Sequence, residues 1–346
     1  MNTKIIKINA ANIDETAIEE AAEIIKNGGL VAFPTETVYG LGANALDADA
    51  SAKIYEAKGR PSDNPLIAHI ASLDTLDEIV EDVSDAAKKL IDKFWPGPMT
   101  LIFNKKALVP DSTTGGLNTL AVRFPSNEIA KALIEKSGVP IAAPSANVSG
   151  RPSPTKGEHV IEDLDGKVDM IIDGGEVGLG LESTIIDVTS EPTILRPGFI
   201  TQEMLEDVIE EVRLDQTIIE KPSEDFLPKA PGMKYRHYAP KTELVIVRGS
   251  AENVAQKIKE DTRNKKAAII TVDQHVDLYE GVDAKVVSWG DIERMDEIAH
   301  QIFDALRKVD EWGVDIIYCE GFEEKDLGLA VMNRLTKAAG YQVIDV

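Results

Sequence analysis

The stretch from residue 213 to residue 240 constrains the fold more than any other feature of the chain. It carries Pro222, Pro228, Pro231, Gly232 and Pro240 and shows no sustained apolar period. Proline fixes φ and lacks an amide donor, so neither a helix nor a central strand runs through such a segment. Regular patterns resume on both sides. The expectation is therefore two α/β bodies, 1–212 and 241–346, joined by a linker at 213–240. A length of 346 residues is long for one core and comfortable for two.

The first body reads as many short strands among fewer helices. It opens strand, helix, strand, with Thr16 and Glu19 spaced as a capping box and Gly28-Gly29 as the stop. The short apolar strand 30–33 ends at Pro34. Further strands are expected at 65–71, 99–104, 118–124, 140–143, 169–173, 183–189 and 193–196, and helices at 49–58, 84–94, 127–137 and 201–212. This composition fits a mixed twisted sheet with helices on its faces. After the linker, strands at 243–248, 266–271, 284–288 and 314–319 alternate with helices at 252–261, 292–311 and 328–339. That order predicts a small open α/β, Rossmann-like domain.

Charge and cysteine usage narrow the function. A formal net charge of -23 argues against a broad basic face for gripping nucleic acid, because phosphate contacts dominate that affinity. An anionic substrate would need a locally basic pocket. The single cysteine, Cys319, leaves no internal disulfide framework. No run reaches the roughly 18 apolar residues that span a bilayer, and the N-terminal segment turns acidic before a hydrophobic signal region develops. The expected setting is a reducing cytoplasm, with no membrane partner.

Four segments at strand ends combine small, polar and charged residues, the usual place for ligand loops in α/β folds. They are Pro34-Thr35-Glu36-Thr37-Val38-Tyr39-Gly40-Leu41-Gly42, Lys58-Gly59-Arg60 through Asn64-Pro65-Leu66 to His69, Ala143-Pro144-Ser145-Ala146-Asn147 to Ser153, and Glu182-Ser183-Thr184 followed by Arg196. Guanidinium forks match carboxylate and phosphate oxygens, which singles out Arg60, Arg123 and Arg196, with Lys58 as a point charge. Ser145, Asn147 and Ser153 could orient phosphate or sugar oxygens. Taken singly these strings are weak: an arginine in a strand, such as Arg123, more often makes a structural ion pair than a ligand contact, and His69 alone reads first as a satisfied core histidine. No Walker A sequence and no zinc-type Cys/His spacing is present.

The ordered combination is specific. With Phe94-Trp95-Pro96-Gly97 between the second and third segments, it resembles the YrdC-type threonylcarbamoyl-AMP synthases over about residues 10–210. The K-x-R and S-x-N pairs of that family match at Lys58/Arg60 and Ser145/Asn147. The likeness continues through Pro231-Gly232-Met233-Lys234-Tyr235-Arg236-His237-Tyr238-Ala239-Pro240 and Gly328-Leu329-Ala330-Val331-Met332-Asn333-Arg334-Leu335, as in the longer two-domain form. The resemblance implies a catalytic group of Lys58, Arg60, Ser145 and Asn147. It implies L-threonine held by Thr35, His69, Arg123, Ala143 and Ser183, and ATP held by Lys58, Arg60, Asn64, Thr119, Ser145, Ser153, Arg196 and Tyr235. It further implies Mg2+ brought with ATP, no dedicated metal ligands, and bicarbonate as the third substrate. A downstream threonylcarbamoyl-transferase complex would take the product, with direct tRNA binding by this chain weak or absent. The alternatives are a nucleotide- or RNA-binding regulatory module without catalysis, and a carbamoyl-phosphate-dependent maturation factor, which would need an acylphosphatase or zinc-finger region.

Overall fold

The computed structural model describes residues 2–223, 225–234 and 237–346. Backbone contacts divide the chain into two units. The larger runs to Lys234 without Gly150–Pro152, and the smaller takes those three residues with the remainder of the chain. The larger unit contains β1 (Lys4–Lys7), α1 (Glu15–Lys26), β2 (Val31–Phe33), β3 (Gly40–Asn44), α2 (Ala48–Lys58), β4 (Ile67–His69), α3 (Leu73–Ile79), α4 (Asp85–Phe94), β5 (Met99–Asn104) and α5 (Asp111–Thr114). It continues with β6 (Thr119–Arg123), α6 (Glu128–Ser137), β7 (Ile141–Ala142), α7 (Gly157–Leu164), β8 (Met170–Asp173), β9 (Thr184–Asp187), β10 (Thr193–Arg196), α8 (Gln202–Glu206) and β11 (Arg213–Leu214). The smaller contains β12 (Glu243–Arg248), α9 (Ala251–Asp261), β13 (Ala267–Thr271), β14 (Ala284–Ser288), α10 (Met295–Asp310), β15 (Ile316–Glu320), α11 (Leu327–Ala338) and β16 (Val343–Asp345).

The larger unit is a mixed sheet in the order β1-β8-β2-β3-β7-β4-β6-β5-β9-β10-β11, as the balance of strands and helices predicts. One face is closed by α1 and α6, whose Ile18, Ile25, Ile129 and Leu133 pack on Val31, Phe33, Met170 and Ile172. Each such fully buried side chain contributes about 1.5–3 kcal/mol of transfer free energy. The smaller unit is a parallel sheet, β14-β13-β15-β12-β16, the expected open α/β type. Among the described residues no helix is long and apolar enough to cross a membrane.

Several local expectations need correction. The cap of α1 is Asp14, whose carboxylate accepts from the Ala17 amide, so Thr16 lies inside the first turn and Thr16/Glu19 is not a capping box. The glycine-rich segment at 40–44 forms β3 and not only a loop. A Cβ on Gly42 would lie 2.7 Å from Ile141 and 2.8 Å from Phe33, so glycine here permits close packing between strands. The helix expected at 201–212 stops at Glu206. The linker does not begin cleanly at 213, because β11 pairs with β10. Further along, Phe226, Ala230 and Met233 pack on Ile67, Ile102, Ala121, Ile185 and Leu195. This part of the linker is bound to the larger unit by the same apolar burial that forms cores.

Candidate active site

Strand register assembles the site. In the parallel pair β4–β6, His69 lies level with Arg123 and Ile67 with Ala121. In the antiparallel pair β5–β6, Thr100 faces Arg123 and Ile102 faces Ala121. Side chains two apart share a face. His69, Arg123 and Thr100 therefore form one row, and Ile67, Ala121 and Ile102 form the next. The second row is the patch that Ala230 and Met233 cover. Ser183, one residue before β9, joins the polar row through a 2.7 Å hydrogen bond between its hydroxyl and that of Thr100. Arg196 then donates from Nε and Nη2 to the Ser183 carbonyl and from Nη2 to Ser183 Oγ. Thr119 shares the face of Arg123 but begins the strand, about 13 Å away at four residues of roughly 3.3 Å each. The same register, extended, sets Thr119 level with Pro65, beside Asn64.

The residues expected at the threonine end are buried together. Thr35 Oγ1 donates to the Val38 carbonyl at 2.7 Å and lies 2.9 Å from Thr37 Oγ1. Arg123 donates from Nη1 to Thr37 Oγ1 at 2.8 Å and from Nε to the Gly97 carbonyl. Its Nη2 lies 2.7 Å from Glu36 Oε1. That contact is a close ion pair between a buried guanidinium and the Glu36 carboxylate. Burial is the largest single influence and would raise the Glu36 pKa, but the Arg123 charge, together with hydrogen bonds from Arg123 and from the backbone at Glu36 and Ser126, holds the carboxyl below its ordinary value. His69 is 4% exposed and packs edge-on against Phe33. Burial first, and the Arg123 charge second, lower its pKa to about 3, so its ring is neutral near pH 7. The Ala143 amide donates to the Ile67 carbonyl, which fixes the backbone of the third motif against β4.

The nucleotide candidates other than Arg196, which binds Ser183, make separate local contacts. Lys58 ends α2, and Gly59, at φ 62°, turns the chain in the left-handed conformation glycine favours. The Lys58 ammonium, 2% exposed, donates to the carbonyls of Ser145 and Asn147. Ser145 Oγ donates to Asn147 Oδ1 at 2.5 Å. The K-x-R and S-x-N motifs are thus in direct contact, and Lys58 holds the second loop in place. Arg60 donates to the carbonyls of Asn64 and Pro65. Asn64 is buried, and among the described residues its Oδ1 has no hydrogen-bond partner, an orphaned acceptor of the kind a ligand donor satisfies. Ser153 donates to Glu182 at 2.6 Å. Tyr235 lies outside the described residues.

Four residues of the polar cluster were passed over as sites by the sequence reading: Glu36, Thr37, Thr100 and Glu182. Three of them stand inside motifs quoted for other residues. Thr100 carries no local signal, since only β5–β6 pairing brings it beside Arg123. Among the described residues no group of three or more His, Cys, Asp and Glu could hold a metal ion.

This arrangement has counterparts among known proteins. Residues 23–198 match the family described as Telomere recombination, and residues 200–340 match the family described as Threonylcarbamoyl-AMP synthase, C-terminal domain. A threonylcarbamoyl-AMP synthase of Pyrococcus abyssi is 51% identical over 341 residues, covering 96% of this chain and 97% of its own. One from Bacillus subtilis is 47% identical, covering 96% and 95%. The crystal structure of P. abyssi Sua5 complexed with L-threonine superposes with a TM-score of 0.93 at 50% identity, covering 99% of this chain and 100% of that one. E. coli YciO matches with a TM-score of 0.53 at 29% identity, covering 57% of this chain and 96% of its own. Matches spanning both units, together with the paired K-x-R and S-x-N loops, place the chain in the threonylcarbamoyl-AMP synthase family.

Proposed function

We propose that the larger unit makes L-threonylcarbamoyladenylate from L-threonine, bicarbonate and ATP, releasing pyrophosphate, to supply the threonylcarbamoyladenosine modification of tRNA. The observation that carries this reading is the two-ended face of the sheet. One end holds a buried row of His69, Arg123 and Thr100, level with one another by register, with Ser183 hydrogen-bonded to Thr100. The other presents Thr119 and the Asn64 loop, about 13 Å away along the strand. Such a face accepts an amino acid at one end and a nucleotide at the other, with the reacting groups between them.

Arg123 takes the threonine carboxylate with the guanidinium hydrogens that remain beyond its bonds to Gly97 and Thr37. Neutral His69 and the Thr35 and Ser183 hydroxyls supply uncharged partners for the substrate hydroxyl and amine. The threonine nitrogen forms a bond to the carbon of bicarbonate, the C–OH bond of bicarbonate breaks, and water leaves with one amine proton, giving an N-carboxylate. An oxygen of that group attacks the α-phosphorus of ATP, the bond to the β-phosphate bridging oxygen breaks, and pyrophosphate leaves. The reaction is a nucleotidyl transfer. Catalysis comes from positioning and from neutralising charge on the phosphates by Lys58, Arg60 and Arg196. Ser145, Asn147, Asn64 and Ser153 fix the nucleotide. Magnesium enters as part of the ATP substrate, carried chiefly on phosphate oxygens. Residues 226–233 lie over the middle of the face and act as a lid that excludes water from a labile adenylate.

The test is ATP–pyrophosphate exchange. Exchange should require both threonine and bicarbonate. Exchange independent of either substrate, or none at all from folded protein, would refute the assignment.

A further inference from the structure

A cleft of about 920 Å³ lies at the N-terminal edge of the parallel sheet in the smaller unit. Three segments line it. The end of α9 and its following turn bring Lys259 and Arg263, the approach to β13 brings Lys265 and Lys266, and β14 brings Lys285. Pairing of β13 with β14 sets Lys285 level with Ala268, and so beside the lysine pair. Against these five cations the cleft has two carboxylates, Glu280 and Asp283.

The chain has 60 acidic residues to 37 Lys and Arg, and its exposed cations commonly find carboxylates, as Lys4 does at Glu20 and Lys136 at Glu19. Among the described residues, none of the five cleft cations has an ion-pair partner. Asp261, the acidic residue at the end of α9, is taken by Lys257 at 2.7 Å. The negative end of a helix accounts for Lys259 and Arg263. It does not account for the three lysines contributed by β13 and β14. Two of those lie over aromatic rings: Lys265 is 5.7 Å from the Tyr318 centroid and donates to its hydroxyl, and Lys285 is 5.1 Å from the centroid of half-buried Trp312. Cations unpaired by protein acids suit a phosphodiester strand, whose phosphates meet them; Tyr318 is buried, so half-buried Trp312, outside the cleft lining but beside Lys285, is the ring left for an unpaired base.

We propose that this cleft binds single-stranded or looped RNA through its backbone, with Trp312 offering a stacking surface. Up to five phosphate contacts would give a salt slope of at most about -3.5 in log K against log salt. The net charge of -23 opposes association, so binding is weak and strongly salt-dependent. This site is independent of adenylate synthesis in the larger unit.

The probe is a fluorescein-labelled oligouridylate followed by anisotropy, with the full-length chain, at several salt concentrations. Binding should weaken steeply with salt. The double variant Lys265→Glu with Lys285→Glu should bind at least tenfold more weakly and lose about 1.4 from the slope, at roughly 0.7 per contact. Lys89→Glu with Lys93→Glu makes the same change in net charge on exposed α4 positions and should bind as wild type. Trp312→Ala should weaken the oligonucleotide but not inorganic tripolyphosphate. Four results overturn the proposal: no binding at low salt, equal loss in the control variant, equal binding by the Trp312→Ala variant, or tripolyphosphate binding as tightly as the oligonucleotide, which would make the cleft a free-phosphate site.

Discussion

His69 offers a sharp test of how the polar row is held. Folding takes its imidazole from an ordinary pKa of 6.5 to about 3. The unfolded chain thus binds a proton that the folded chain refuses throughout that interval, so stability rises with pH there. The stability associated with the neutral ring is fully present above about pH 6.5 and is lost as pH falls toward 3. At 1.36 kcal/mol per unit, the 1.5 units between 6.5 and about pH 5 amount to about 2 kcal/mol, or roughly 30-fold in the folding equilibrium. Glu36, whose pKa is lowered by Arg123, also loses stability on acidification, but only below its ordinary value of 4.5, which leaves the window above pH 5 to His69. The perturbation is His69→Gln, which keeps polarity and gives up the titration. Amide hydrogen exchange of β4 and β6, corrected for intrinsic rates, reports the opening free energy of this unit without interference from the other. Wild type should lose about 2 kcal/mol more than His69→Gln between about pH 7 and about pH 5. Equal losses in the two proteins would show that His69 titrates normally in the fold, and the argument from its burial and from Arg123 would fail.

Other outcomes follow from the same geometry. Lys58→Ala or Arg60→Ala should lower adenylate formation tenfold or more, at about 1.4 kcal/mol per decade. Near-normal turnover in both folded variants would remove them from the phosphate site. Glu36→Gln leaves the buried Arg123 charge uncompensated and should destabilise the larger unit by about 3–5 kcal/mol in hydrogen exchange, whereas a loss under about 1 kcal/mol would mean the pair is solvated. Serine, lacking only a methyl group, should be discriminated against by roughly 1–3 kcal/mol in kcat/KM, and valine more strongly because buried polar groups then go unpaired. Valine equal to serine would contradict the threonine site. ATP with threonine should slow proteolysis within 228–240 if the linker closes over the sheet, and unchanged cleavage would make that segment a tether only.

Sequence by itself determined what depends on short-range chemistry. Apolar periods placed most strands and helices, and the ordered loop motifs carried the family; the prolines between 213 and 240 marked a break in pattern, but much of that stretch packs on the larger unit. Sequence misplaced features that depend on competition between neighbours. Asp14 caps α1 ahead of the better-spaced Thr16/Glu19 pair, and glycines that read as a loop form β3 because Phe33 and Ile141 press against them. Tertiary structure decided the site itself. Arg123 read as either a ligand arginine or a structural ion pair. It does pair with Glu36, eighty-seven residues away in the chain. Lys58 read as a phosphate cation and also straps the Ser145–Asn147 loop. Thr100 had no motif and entered the row through strand register alone. The physical reason is common to all three. Burial and electrostatics act on whatever the fold brings within a few ångströms, and those neighbours are set by strand pairing between segments far apart in the chain.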